Sequence, residues 1–320
     1  MRLLVTGGAG FIGSTLVDRL LAEGNTVDVV DDLSTGSLAN LADARASAGH
    51  QLTVHQMDIR SAEVVNLIIR RRPEVIFHLA AQADVRRSVA DPVFDAEVNL
   101  IGTVRILEGA RQAGSGRVVF AASGGTLYGE PDASELPLKE SLPYRPLSPY
   151  GVSKKAALDY LVAYRELYSL EFSALALANV YGPRQNPHGE AGVVAIFAER
   201  LLRGQTVTIF GDGEQTRDYV YVDDVVDAFV RAATKGGGLL CNIGRGEETS
   251  VNVLYREMAS QAGVEPDIEL KPLRQGELLR NCVDPTRAGI QLGWKPWTDL
   301  GRGTSAVLAF VRRQLATGGD

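Results

Sequence analysis

The chain has 320 residues, with 33 Lys and Arg against 39 Asp and Glu and a formal net charge of −6 at pH 7. That balance, with no long basic run, argues against nucleic acid and anionic membrane as partners, and no apolar segment is long enough to span a bilayer. Cys241 and Cys282 are too few and too isolated for a disulfide framework or a zinc site, and His50, His55, His78 and His188 show no ligand spacing. A metal-free, cytoplasmic protein is therefore expected, with no signal peptide ahead of a strand that starts at residue 2.

The apolar run Arg2–Thr6 reads as a short buried strand, and residues 14–22 continue with helical periodicity. Between them lies Gly7-Gly8-Ala9-Gly10-Phe11-Ile12-Gly13. Gly7 permits a tight turn, Gly10 lets the backbone approach a pyrophosphate, and Gly13 lets the helix pack on its strand. Phosphates would then sit on the free amides of the helix N-terminus. A second strand over 27–30 ends in Asp31-Asp32, about 20 residues beyond the glycines, where an acid suits a ribose 2′-hydroxyl and repels a 2′-phosphate. The order of strand, glycines, helix, strand and acid points to NAD rather than NADP. The spacing is G-x-x-G-x-x-G, so a glycine turn holding nothing is the alternative.

Further along, strand-like runs at 52–55, 75–80, 117–122 and 172–176 alternate with helical stretches at 61–72, 93–113 and 150–168. Such alternation implies parallel strands joined by helical crossovers, a Rossmann-type doubly wound α/β sheet. Pro73 closes one helix and Gly114–Gly116 another. After about Ala178 the regularity decays. Residues 1–178 read as a dinucleotide-binding domain, and 179–320 mainly as a smaller substrate-binding lobe with some chain returning to the first domain.

Tyr150-Gly151-Val152-Ser153-Lys154 is the sharpest chemical signal. Tyr and Lys four apart share one helix face, and a phenol becomes a useful base only when something such as a nearby ammonium lowers its pKa from about 10. Alone the pair means little. Behind a nucleotide-binding N-terminus it points to redox chemistry.

With these residues in view, the chain resembles the extended short-chain dehydrogenase/reductases, and among them the NAD-dependent UDP-sugar 4-epimerases of the UDP-galactose type. The resemblance runs nearly end to end. It covers the glycine turn, Asp31, Asp58-Ile59, His78-Leu79-Ala80-Ala81, Asn99, Ser123–Gly129, Tyr150 with Lys154, and Asn179-Val180-Tyr181-Gly182-Pro183-Arg184. Gly211-Asp212-Gly213 through Asp218-Tyr219, and Arg274-Gln275-Gly276-Glu277, complete it.

The resemblance implies a role for each position. Gly7, Gly10, Phe11, Ile12 and Gly13 would form the pyrophosphate turn, Asp31 with Asp32 would face the adenosine ribose, and Asp58 and Ile59 would border adenine. Leu79, Ala80, Ala81, Asn99, Ser123 and Tyr181 would complete the cofactor site. Lys154 would bond the nicotinamide ribose and help acidify Tyr150. Tyr150 would take the proton of the sugar 4-hydroxyl as hydride passes from C4 to NAD, and a rotated 4-keto intermediate would receive hydride back on its other face. Thr126 is the hydroxyl chosen to assist Tyr150, because Gly124 stands where several relatives place it; Thr126 bonding only backbone is the alternative. Asn179, Phe210, Arg217, Arg274 and Glu277 would hold the UDP portion. Relatives pair the two long helices here at 93–113 and 150–168, which implies a homodimer.

Related 4,6-dehydratases carry Asp-Glu where this chain has Gly125-Thr126, which disfavours dehydration and leaves only a displaced acid such as Glu130. The expected substrate pair is UDP-glucose and UDP-galactose. UDP-glucuronate/UDP-galacturonate is the alternative, with Gly124 and Gly125 offering room at C6 and Arg86, Arg87, Arg184 or His188 available to a carboxylate. A sugar-nucleotide dehydratase or reductase, or a non-catalytic NAD-binding sensor, are the further alternatives.

Overall fold

A computed structural model describes residues 1–187, 192–264, 267–273 and 278–318. Strand β1 (Arg2–Thr6) is buried on both faces at Leu3, Leu4, Val5 and Thr6, as a strand covered by helices on both sides must be. The chain then alternates: α1 (Phe11–Ala22), β2 (Thr26–Asp31), α2 (Ala42–Ser47), β3 (Leu52–Gln56), α3 (Glu63–Arg71), β4 (Val75–His78), α4 (Val85–Ala90) and α5 (Pro92–Ala96). Next come a π-helical turn (Glu97–Gly102), α6 (Thr103–Ala113), β5 (Arg117–Ser123), α7 (Pro149–Tyr168) and β6 (Glu171–Leu177). The remainder runs β7 (Asn179–Tyr181), α8 (Val193–Leu202), β8 (Val207–Phe210), β9 (Thr216–Arg217), β10 (Tyr219–Tyr221), α9 (Val222–Ala232), β11 (Leu239–Ile243), β12 (Thr249–Ser250), α10 (Val251–Ala262), β13 (Ile268–Lys271), α11 (Thr286–Leu292) and α12 (Leu300–Ala316).

Seven strands form one sheet in the order β11-β6-β5-β4-β1-β2-β3, every neighbour parallel. The strand order reverses at β1 and β4, and in open α/β sheets a ligand crevice lies there, beyond the carboxyl ends of the strands. Here those ends nearly touch: a Cβ on Gly7 would stand 2.7 Å from the Ala80 nitrogen.

Two sequence expectations shift. β4 stops at His78 rather than Ala80, because the chain turns across the end of β1, where the Leu79 and Ala80 amides donate to the Thr6 carbonyl and hydroxyl. The single helix expected over 93–113 is α5, the π turn and α6 in series. The π segment Glu97–Gly102 is too short a window for periodicity to separate it from one continuous helix; π turns gather at functional sites. Beyond Ala178, β11 joins the sheet beside β6 and α9 packs against α1, while the two-stranded pairs β7–β10, β8–β13 and β9–β12 lie outside the sheet.

Candidate active site

The glycine turn fits a phosphate-bearing ligand. Gly7 sits at φ +70° and a Cβ there would meet the Leu79–Ala80 backbone, while a Cβ on Gly13 would lie 2.0 Å from the Gly7 carbonyl oxygen and drive α1 off β1. Helix α1 begins at Phe11 with Gly10 as its cap and no side-chain cap bond, leaving its first amides to a ligand. Ile12 is half-buried in the same first turn.

Asp31 closes β2. Its carboxylate accepts from the Ala9 and Leu33 amides, both at 2.9 Å, and loss of solvation raises its pKa above the usual carboxylate range while those two bonds oppose the rise. A carboxylate so placed accepts a ribose diol and opposes a second negative group. Asp32 differs: it is exposed and accepts from the Ser34 amide and hydroxyl. Asp58 is bound by the Arg60 guanidinium at 2.7 Å, which holds it below the usual range, and Ile59 is buried against Gly102.

Two expected cofactor contacts have side chains committed elsewhere. Asn99 accepts from the Gln82 amide at 2.9 Å and donates to the Gln82 carbonyl and to Asp95, both at 2.8 Å, so it organises the loop after β4. The Tyr181 ring packs against Tyr219 and Tyr221, and its hydroxyl would meet a Cβ on Gly303 at 2.0 Å. That ring is core of the C-terminal half, which leaves a dinucleotide only the Tyr181 backbone. Leu79, Ala80 and Ala81 are half-buried at the mouth of the crevice.

Helix α7 starts at Pro149, with the Ser148 hydroxyl accepting from the Gly151 amide at 3.2 Å. Tyr150 therefore occupies the first turn, where the positive end of the helix favours a phenolate. One turn on, the buried Lys154 ammonium donates to the Ala121 carbonyl at 2.9 Å and lies 5.8 Å from the centre of the Tyr150 ring. Burial lowers its pKa to about 8, against the opposing attraction of Asp95.

Among the described residues, the buried Thr126 hydroxyl oxygen has no hydrogen-bond partner. Gly151 lets α7 come close to it: a Cβ there would stand 3.3 Å from the Thr126 Cβ. Ser123, at the end of β5, lies beside Gly125. A Cβ on Gly124 would stand 3.0 Å from the Ala176 carbonyl oxygen and 3.1 Å from the Leu177 carbonyl oxygen and a Val283 methyl, so that side of the residue is filled. Gly125 is open except toward Ser123. Glu130, the displaced acid left open by the sequence, is exposed and accepts from the Leu279 amide at 3.4 Å.

In the C-terminal half, the Asn179 amide donates to the Asp218 carbonyl at 2.9 Å, and Asn179 pairs with Tyr219 in register. The Arg217 guanidinium donates to the Thr216 carbonyl, and Phe210 ends β8, its carbonyl accepting from Gln215 at 2.7 Å. Arg274, Glu277 and His188 lie outside the described residues. Arg184 is drawn to Asp18 of α1 at 2.7 Å and Arg86 to Asp84, while Arg87 covers the Phe94 ring.

A family profile described as the NAD dependent epimerase/dehydratase family matches residues 3–244. The chain belongs to that family. Over 315 residues it is 53% identical to the UDP-glucose 4-epimerase of Mycolicibacterium smegmatis, covering 98% of this chain and 99% of that one. Among solved structures it is similar to the UDP-glucose 4-epimerase of Thermotoga maritima with UDP-glucose, at 43% identity and a TM-score of 0.94 over 98% of this chain and 100% of the other. It is also similar to the UDP-glucose 4-epimerase of Thermus thermophilus in complex with NAD, at 42% identity and a TM-score of 0.90 over 98% and 99%.

Within this epimerase/dehydratase scaffold, several supporting residues escaped the sequence reading. His78 is buried between the Thr6 hydroxyl at 2.7 Å and the Thr103 hydroxyl at 2.9 Å, and burial lowers its pKa to about 3, so it is neutral. Because Thr103 donates to the Asn99 carbonyl, Nε2 carries the imidazole proton and Nδ1 accepts from Thr6. Asp218 accepts from the Arg245, Gly246 and Val283 amides and ties three loops together behind Arg217. Asp95 and Ser153 meet at 2.7 Å across 58 residues of sequence. The one local signal for Asp95 is its position four residues before Asn99, on the same helix face.

Proposed function

We propose that this protein inverts C4 of a UDP-hexose with bound NAD, interconverting UDP-glucose and UDP-galactose. The observation that carries this reading is the meeting of Tyr150, Lys154 and the unpartnered Thr126 hydroxyl at the crevice bounded by the glycine turn and Asp31. The relatives named above support the choice of substrate.

When bound, NAD supplies a reversible hydride acceptor at C4. The amides of α1 and the glycine turn hold its diphosphate, and Asp31 its adenosine ribose. Lys154 orients the second ribose and favours the Tyr150 phenolate. Tyr150 takes the proton of the 4-hydroxyl and later returns it, work worth about 10²–10⁴-fold for general-base catalysis. Thr126 hydrogen-bonds the same oxygen. Asn179 and Arg217 grip the UDP diphosphate, with Arg274 and Glu277 reaching its phosphate and ribose, and Phe210 borders uracil. A guanidinium suits the diphosphate because it binds two oxygens at once.

Of the cations the sequence offered to a uronate, Arg184 pairs with Asp18, Arg86 pairs with Asp84 and Arg87 lies over the Phe94 ring, and Gly125-Thr126 supplies no carboxyl group for dehydration. We further infer a homodimer. Val93, Ile101, Val152 and Tyr160 stand exposed on α5, the π turn and α7, which pack on one another. Exposed apolar surface on adjacent elements is a common mark of a protein interface.

Proton NMR of the protein with UDP-glucose and, separately, UDP-glucuronate tests the reading. Growth of the galacto anomeric and H4 signals from UDP-glucose alone is the expected outcome. Turnover of UDP-glucuronate alone would replace the hexose by a uronate, and no change in either would defeat the epimerase reading.

A further inference from the structure

Asp95 is fully buried on α5, at 0% exposure. Its carboxylate accepts from Gln82 Nε2 at 3.1 Å, Asn99 Nδ2 at 2.8 Å and Ser153 Oγ at 2.7 Å. The donors come from three places: the loop after β4, the π turn, and α7, where Ser153 stands between Tyr150 and Lys154. Asn99 doubles the tie by bonding both backbone groups of Gln82. All three donors are neutral, and a buried carboxylate is costly unless a cation also lies within reach.

Lys154 is that cation. It is itself 2% exposed, and Asp95 is the charge that resists the loss of its proton. The other groups described around the ammonium are the Phe120 ring, the Ala121 carbonyl, His78, which burial keeps neutral, and Tyr150, the group on which Lys154 acts. Asp95 is fully buried, and its carboxylate is taken up by protein donors. It acts on the chemistry through Lys154 and through the placement of α7.

We propose that Asp95 is the positioning residue of this active site: its carboxylate ties α7 to the cofactor loop through Ser153, Asn99 and Gln82, and serves as counter-charge to Lys154, the residue that follows Ser153 on α7. The proposal rests on Tyr150 being the base. Its sign follows directly. Asp95→Asn keeps the shape and removes the charge, so Lys154 releases its proton at lower pH. Tyr150, with less positive charge beside it, then holds its proton to higher pH.

Phenolate absorbance titration gives a readout without turnover. The difference between wild type and Tyr150→Phe isolates Tyr150, and the same difference is taken in the Asp95→Asn background. An upward move of about one pH unit is expected, the scale of a lost neighbouring charge. The acid limb of kcat should move with it, and kcat near neutrality should fall about tenfold, while KM and the fraction of bound NAD hold. An unmoved midpoint overturns the counter-charge role even where kcat falls, because lost packing alone gives that result. Ser153→Ala keeps the charge and cuts the tie: kcat should fall severalfold with KM and midpoint held, and a wild-type kcat overturns the positioning role. If Asp95→Asn does not fold, Ser153→Ala decides. A fully active Tyr150→Phe would instead remove the base itself, which separates the two failures.

Discussion

A buried hydroxyl left without a hydrogen bond costs about 1–3 kcal/mol, and Thr126 carries that cost beside the first turn of α7. A substrate oxygen between Thr126 and Tyr150 would relieve it. Thr126→Val, which keeps the shape and removes the hydroxyl, should lower kcat by about 10²-fold with little change in KM, whereas Thr126→Ser retains most activity. Steady-state kinetics on UDP-glucose checks this, and a larger loss in Ser123→Ala than in Thr126→Val would reverse the roles of the two hydroxyls. Chemistry at this scale was legible where residue type and spacing are local, as at Tyr150 and Lys154. It was not legible where orientation decides. The sequence cannot say that the Tyr181 ring turns toward Gly303 or that the Asn99 amide is consumed by Gln82 and Asp95.

Among the elements, the turn between β1 and α1 was the most readable, because its constraint is steric and contained within a few residues. Gly13→Ala tests it. A Cβ there meets the Gly7 carbonyl oxygen at 2.0 Å, so α1 must withdraw from β1, at a cost of about 1–3 kcal/mol for an overpacked contact. Denaturant unfolding should show that loss together with reduced retention of bound NAD. Gly24→Ala is the contrast: it strains a backbone at φ +80° but meets no atom within 4 Å, so its NAD retention should equal wild type. Equal retention in both variants would separate the turn from the cofactor. The π turn and the short β11 were not readable. A single widened turn is too short to be read against the helical period, and Leu239–Ile243 is an ordinary apolar run until it pairs with β6.

For the whole molecule, the parallel sheet and its switch point place the glycine turn, Asp31 and the loop after β4 around one crevice, and the β7–β10 pair sets Asn179 against the Asp218–Tyr219 backbone. A second copy of the chain is the remaining assembly question. Replacing both Val93 and Ile101 with Asp should halve the mass measured by light scattering while leaving far-UV circular dichroism intact; an unchanged mass would place the interface elsewhere.

By itself the sequence determined the alternation of strands and helices, the glycine turn, the acid that closes β2, and the Tyr–Lys pair. Each is a short-range pattern in which neighbours along the chain are neighbours in space. Only the tertiary structure decided which polar side chains remain for ligands, that Gly124 is crowded and Gly125 open, and that Asp95 stands behind Lys154. Those outcomes depend on contacts between segments far apart in sequence, and burial, charge and direction act there only after the sheet has brought the segments together.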